Sequence, residues 1–551
     1  MASTTKSGAK AALKSKTAKA TKEKKQAPGL FEELLFARAP AEDLADYDAG
    51  ALRTSARLAE DALSRFKSGK PLIDLSDGST VSRDGRPVTV VTLINDNMPF
   101  LLDSVLGEIS ERVSSVYLVL HPVMDVDRKS GAVIGAAGPD KPGKDEARVS
   151  VMQIHVPALD APVREIMVEA LNLVLKQVRE AVNDRAAMVA RLGDAIEAYK
   201  TGKTPMKKAA AEEAVEFLEW LRDNNFTFLG VREYDYQGDG SQGELERSGK
   251  PGLGILRDPD VRVLKRGNQG VTTTPQIIAF LTGPEPLIVT KANTKSLVHR
   301  RGYMDYIGVK TYDADGKVSG ELRFVGLFTS GAYTRSVLKI PYLRSKTESV
   351  ISRLGFNRED HSGKQLIKVL ESYPRDDLFQ IDVKTLTRNA EIILALGERP
   401  RVRVLPRIDP FGRFASIIVY VPRERYDSIV REKVGSYLAA TYEGHVSAYY
   451  PAFPEGNLAR VHFIIGHAEN DFPKVKREAL EETVRSIVRT WEDAVAEVGD
   501  RSGLAEFSSL AAVFPDSYRE NFSPDEALID ASRIAGLSRT NPLFVDFYRH
   551  R

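Results

Sequence analysis

Apolar and polar residues alternate along this chain with two periods, near two and near three and a half, and the switches between them mark its elements. Val88-Thr89-Val90-Val91-Thr92-Leu93-Ile94 is a β-type run within a strand predicted over 86–94. After the polar turn Asn95-Asp96-Asn97-Met98 the period becomes helical over 99–113, with its stripe at Leu101, Val105 and Ile109. Strands are predicted over 116–126 and 149–156, separated by the turn Lys129-Ser130-Gly131. Asp160 then caps a long helix striped by Val163, Met167, Leu171, Val174, Val178 and Val182. This β-α-β-β-α order is that of a ferredoxin-like half-sheet under two helices, whose fourth strand must come from elsewhere.

The remaining pattern predicts more units. Leu30 to Lys67 reads as helix interrupted at Pro40, and 199–208 as a linker. A helix over 210–222 ends at Asn224-Asn225, and strands follow over 226–236, 287–291, 303–312 and 318–328. The last two flank the hairpin signal Asp313-Ala314-Asp315-Gly316. Helices over 342–354, 363–371 and 383–396 complete a mixed α+β piece. A second module reads as strands 401–406 and 414–421, helix 423–442, strands 446–450 and 459–465, and helix 472–498. It matches the first in scale, without a clean sequence repeat. Beyond Gly503 the chain is helical and polar, and its last apolar residues have no following element to pack against. The expected organisation is α+β and multi-domain: a Lys/Ala-rich disordered tail (1–28), a helical segment (29–84), a first module (85–198), a mixed domain (209–398), a second module (399–500) and a truncated helical connector (501–551).

Composition narrows the function. Among 551 residues, 42% are hydrophobic and 28% charged, which is ordinary for globular protein. A net charge of +2 supplies no general polyanion-binding field, so no nucleic-acid partner is expected. Residues 1–28 carry eight lysines against Glu23 and almost no large apolar residue. That composition suits a solvated terminus or a weak anionic-surface arm. No run of about 18 apolar residues exists, so no membrane span is expected. The absence of cysteine excludes disulfides, cysteine-ligated metals and thiol catalysis, and fits a reducing cytoplasm.

The strand–turn–helix junction at Asn95, Asp96, Asn97 and Met98 is the candidate effector site. A helix N-terminus presents unpartnered N–H groups that suit the carboxylate of a small ligand. The competing reading is a plain connection capped by Asp96 or Asn97. Other motifs carry less. Gly238-Asp239-Gly240-Ser241-Gln242-Gly243 has dinucleotide-loop spacing, but Gly249, Pro251 and Gly252 leave no helix after it. Gly138 to Asp145 nearly matches a P-loop, with Asp145 where the metal-binding hydroxyl belongs. The histidines show no ligand spacing, and His462 and His467, five apart, are expected on opposite faces of a strand. Asp376 and Asp377 could do acid–base work, but after Tyr373-Pro374 a helix cap is favoured. No catalytic or metal site assembles from spacing.

Several stretches in order resemble the N-terminal region of the large bacterial NAD-dependent glutamate dehydrogenases. They are Ile94 to Ser104, Phe226 to Tyr234, Gly252 to Leu256, Lys291 to Thr329 with Tyr303-Met304-Asp305-Tyr306-Ile307-Gly308-Val309-Lys310, Tyr373 to Gln380, and Asp409 to Phe414. The resemblance implies ACT-type (βαββαβ) modules flanking a PAS-like domain. It also implies a longer homo-oligomeric parent enzyme that converts L-glutamate with NAD to 2-oxoglutarate and ammonia. The NAD-binding and catalytic residues would lie downstream, so this segment is expected to hold no cofactor and to be inactive alone. Its expected role is regulation by a small metabolite such as an amino acid, and subunit assembly. The alternatives are a scaffold without ligand, or a separate enzyme for which no residues speak.

Overall fold

The computed structural model describes residues 29–545 except 128, 139–140, 239–242, 262, 267–268, 271–272 and 468–471. The Lys-rich tail and the centres of both glycine-loop motifs lie outside the described residues. The chain divides into two compact units, Met1–Leu175 and Lys176–Arg551.

In the first unit, helices α1 (Leu30–Phe36), α2 (Ala41–Ala45) and α3 (Ala49–Arg65) come first. Asp48 starts α3 by accepting the N–H groups of Gly50 and Ala51. The stretch 29–84, expected to be helical, then yields two short strands, β1 (Leu72–Leu75) and β2 (Val81–Arg83). They are followed by β3 (Arg86–Asp96), α4 (Leu101–Ser110), β4 (Leu118–Leu120), β5 (Val123–Asp127), β6 (Val133–Ala136), β7 (Glu146–Pro157) and α5 (Ala161–Asn183), which contains the division between units. The sheet order is β1-β3-β7-β5-β6, all antiparallel. Thus β1 fills the fourth place, beside β3, and the expected βαββαβ becomes ββαββα. The leading strand escapes notice because four residues, Leu-Ile-Asp-Leu, carry too little pattern. The expected strand 116–126 is divided at Pro122, which has no N–H for the ladder. Phe31, Leu35, Ala59 and Leu63 pack with Val88, Val90 and Val151 over one face of the sheet. On the other face Val91, Leu93, Met152 and Ile154 are fully buried.

In the second unit, α6 (Arg185–Thr201) and α7 (Lys208–Trp220) lead into β8 (Phe226–Gln237), β9 (Glu244–Arg247) and β10 (Leu253–Gly254). A ribbon of β11 (Lys265–Arg266) and β12 (Gln269–Gly270), helix α8 (Pro275–Thr282), and β13 (Leu287–Lys295), β14 (Tyr303–Tyr312) and β15 (Val318–Phe328) follow. The middle sheet has the order β10-β8-β15-β14-β13, with β9 against β8. Its β14–β15 hairpin closes where the sequence predicts, with Asp313 accepting the N–H groups of Asp315 and Lys317. Helices α9 (Ser330–Thr334), α10 (Leu343–Leu354), α11 (His361–Ser372), α12 (Arg375–Gln380) and α13 (Val383–Glu398) come next.

The second module is β16 (Arg403–Ile408), β17 (Phe414–Pro422), α14 (Ser428–Thr441), β18 (His445–Ala452), β19 (Leu458–Gly466) and α15 (Arg477–Val488). Its order β16-β17-β19-β18 repeats β1-β3-β7-β5, with an upstream strand again in the fourth place. The repeat absent from the sequence is therefore present in topology. Helix α14 starts at Ser428 rather than 423 because Asp427 caps it, accepting from Val430 N–H at 2.7 Å. Ala415, Ile417 and Val419 pack under α14 and α15 with Val434, Leu438 and Leu480. The alternate residues Ile418 and Tyr420 enter the same core as Tyr373, Leu378 and Phe379. Its central strands β17 and β19 are thus buried on both faces, and one of those faces is the seat of the cavity described below. The helix expected over 472–498 is two, α15 and α16 (Trp491–Ser502), because Thr490 and Asp493 form a capping box at the break. Helices α17 (Ser508–Ala511), α18 (Asp516–Arg519) and α19 (Pro524–Ala535) end the chain around Val495, Leu528 and Ala531. Among the described residues no helix is long and apolar enough to cross a membrane.

Candidate functional site

The junction at Asn95–Met98 is built differently from the reading of it as a capped helix start. Asn95 and Asp96 are the last residues of β3, registered with Ser150 and Val149. Asn95 is buried, and its side chain donates to Asp96 O at 2.8 Å. The Asp96 carboxylate accepts from Ser68 Oγ at 2.8 Å and Gly69 N at 2.7 Å, so it anchors the turn between α3 and β1. Neither Asp96 nor Asn97 caps the helix. The N-cap is Phe100, held at φ 71°, and no side chain caps the helix there. Asn97, whose N–H donates to Arg148 O, is exposed, and Met98 half-buried.

A second place carries more chemistry. A cavity of about 260 Å³ opens between β13, the loop at Arg300–Tyr303, α12, and strands β18 and β19. On its floor the Lys291 ammonium sits 2.7 Å from Asp305 Oδ1 and 3.2 Å from Asp376 Oδ1. Burial works against the lysine's charge, but the two carboxylates outweigh it and hold its pKa above the ordinary value. Asp376 is raised by burial and lowered by more through Lys291 and the Tyr333 hydroxyl, which donates to it at 2.9 Å, so it stays ionised. Arg413 closes one wall. It donates to Asp409 at 2.6 and 2.7 Å, to Thr290 Oγ1 at 2.6 Å and to Lys291 O, and so ties the second module to the middle sheet.

Behind this floor Asp377 is paired with Arg407, and Asp377 Oδ1 also accepts from Ser416 Oγ at 2.7 Å. Ser416 in turn stands 2.8 Å from His462 Nε2. Serine, histidine and aspartate meet here in the wrong order for nucleophilic catalysis, which needs the hydroxyl to donate to the imidazole and the imidazole to the carboxylate. With the Ser416 hydroxyl donating to Asp377, His462 must donate from Nε2, which leaves Nδ1 as its acceptor nitrogen. Burial pushes the His462 pKa down to about 4, so the ring is neutral.

Sequence reasoning treated these groups as unrelated. Asp376 and Asp377 lie in the first turn of α12 behind Pro374, its N-cap, and bind cations instead of capping. His462 and His467 line the same cavity, not opposite faces, because the strand ends at Gly466 and strict alternation ends with it. The adjacent acids and the Asp409-Pro410-Phe411-Gly412-Arg413 turn were the available signals, but they are far apart in sequence from their partners. A wider hollow of about 560 Å³ near Phe411 and Phe472 has Asp409 and Lys474 as its charged lining, and Asp409 is already taken by Arg413. Among the described residues no group of three or more histidine, aspartate or glutamate side chains could hold a metal ion.

Both antiparallel modules, with the helices that follow them, belong to the class of ACT-domain proteins. The family models that match are, in chain order, glutamate dehydrogenase ACT1 domain (residues 31–170), helical motif 1 (340–399), ACT2 domain (403–492) and helical motif 2 (494–537). The chain is 33% identical over 535 residues to an NAD-specific glutamate dehydrogenase of Halomonas elongata, covering 94% of this chain and 33% of that one. It is 34% identical over 472 residues to that of Pseudomonas aeruginosa, covering 84% and 29%. For the Mycobacterium tuberculosis protein of the same name the figures are 26% over 458 residues, covering 80% and 27%. The chain belongs to the N-terminal region of the large bacterial NAD-dependent glutamate dehydrogenase family. It spans about a third of the length of the curated relatives it matches.

Proposed function

We propose that this chain is the regulatory and assembly segment of a cytoplasmic, homo-oligomeric enzyme that oxidises L-glutamate with NAD and water to 2-oxoglutarate, ammonia and NADH. The observation that carries this reading is the run of four family segments in one order along the chain, on two modules that share a sheet order. The segment itself binds no NAD in this reading; its downstream catalytic domain does. The middle domain is PAS-like, which its antiparallel β10-β8-β15-β14-β13 sheet supports. A small effector binds in the cavity between β13, α12 and the second module. Ligand contacts from three segments at once are what a regulatory site needs to bias their packing. The Asn95–Met98 junction is the other candidate effector site, and Asn97 is its exposed side chain.

The test uses the complete reading frame. Its product should form NADH from L-glutamate, and a form lacking residues 1–551 should lose its response to amino-acid effectors or its oligomeric state by light scattering. No glutamate-dependent NADH, or identical regulation and assembly without the segment, sinks the reading.

A further inference from the structure

The two modules share a sheet order, and in each a helix follows the last strand, α5 after β7 and α15 after β19. Both helices bury one stripe: Met167, Leu171, Val174 and Val178 on α5, and Leu480, Val484 and Val488 on α15. Their outward faces differ. That of α15 is Glu478, Glu482, Arg485 and Arg489, the solvated surface expected of such a helix. That of α5 carries Val163, Ile166 and Leu173, which are 39%, 53% and 46% exposed. Val163 belongs to the inward period by sequence, but it stands at the start of the helix and is exposed there. With Ala170 between Ile166 and Leu173, the four residues fall at intervals of three, four and three. Single apolar side chains on a surface need no explanation, but this spacing makes an apolar seam of the kind one helix offers another. The charged face of α15 shows that the fold does not require it.

The charges beside the seam indicate its partner. Glu165 and Glu169 flank its first half and Lys176 follows its end, all of them exposed. Lys176 is held only loosely, 4.0 Å from Glu180 and 3.7 Å from Asp258. A second α5 laid parallel would set glutamate against glutamate and lysine against lysine, which repel. Laid antiparallel about Ala170, it brings Glu165 of each copy beside Lys176 of the other, and Ile166 of each against Leu173 of the other. Ala170, small and at the centre, lets the two axes approach closely. We infer that the outward face of α5 is a self-pairing surface, through which two copies of this chain join antiparallel about a twofold axis at Ala170. The inference names the surface for the assembly role proposed above and rests on that role.

Sedimentation velocity of the 551-residue chain over about 1–100 µM tests this, and the parent chain should self-associate reversibly in that range. Ile166→Glu and Leu173→Lys, both at exposed positions, should each weaken the association at least about tenfold with unchanged circular dichroism. An equimolar mixture of the two variants should associate again. In an antiparallel pair the mixture sets the new glutamate against the new lysine and leaves the other contact, Leu173 against Ile166, as in the parent; a parallel pair gains nothing from mixing. If Ile166→Glu loses the parent's circular dichroism, Leu173→Lys alone decides, by its effect on association. A chain that stays monomeric across the range, association untouched by the substitutions, or a mixture no tighter than either variant overturns the inference. The complete reading frame separates this from the wider proposal: glutamate-dependent NADH from an enzyme whose assembly ignores Ile166→Glu sinks the seam alone.

Discussion

Two buried histidines make the chain acid-sensitive. His155 is fully buried in the first unit, between Ser55 Oγ at 2.9 Å and the Tyr47 hydroxyl at 3.1 Å, and burial lowers its pKa to about 3. His462, in the second unit, lies near 4 for the same reason. The unfolded chain takes up a proton at each near pH 6.5, and the folded chain refuses it until far lower pH. Stability conferred by the neutral rings is therefore complete above pH 6.5 and declines as pH falls toward 4, by about 1.4 kcal/mol per unit for each histidine. Urea midpoints at pH 7.5 and 5 should separate clearly in the parent chain and less in His155→Gln. An unchanged difference in the variant would show that His155 plays no part. At the same scale, the Tyr303–Lys310 motif shows what resemblance alone left unexplained. Asp305 pairs with Lys291, and the Tyr306 hydroxyl donates to the buried Glu321, which also accepts from Arg323 at 2.9 Å. Gly308 is glycine because a Cβ there would lie 2.4 Å from Glu321 Oε1. Lys310 Nζ donates to Gly283 O at 2.7 Å.

Among the elements, boundaries followed local chemistry that period counting overlooks. The break between α15 and α16 depends on Thr490 and Asp493 exchanging hydrogen bonds with each other's backbone. Thr490→Ala should cost about 1 kcal/mol, read as a lower urea midpoint, with little effect on the wild-type contacts elsewhere. If stability is unchanged, the box is not what starts α16. Gly254 makes a similar point. Its φ of 60° and the approach of Leu229 O, 2.1 Å from where a Cβ would be, require glycine at the corner that ends β10. Strands of eight or more residues were legible because their period is sustained. The four-residue β1 and the three-residue β2 were not, and they supply the sheet edge that the first module lacked in the sequence reading.

Within the second unit as a whole, a few buried ion pairs join segments distant in sequence. Arg413 connects the turn at Asp409 to β13, and Arg407 connects β16 to Asp377 on α12. Removing one partner strands a buried charge, which costs far more than the pair contributes. Arg413→Ala should therefore lower stability by about 3–5 kcal/mol and shift the urea midpoint accordingly. A loss below about 1 kcal/mol, as for a surface pair, would refute this account of the docking.

The sequence by itself determined the antiparallel α+β modules, their helices and the family, because hydrophobic period and short motifs are local properties that survive without neighbours. Only the tertiary structure decided the fourth strand of the first module's sheet, the common sheet order of the two modules, and the cavity that Arg300, Asp376 and His462 line. Those depend on residues from separate elements being brought together, and on packing that fixes which of their hydrogen-bonding atoms are committed.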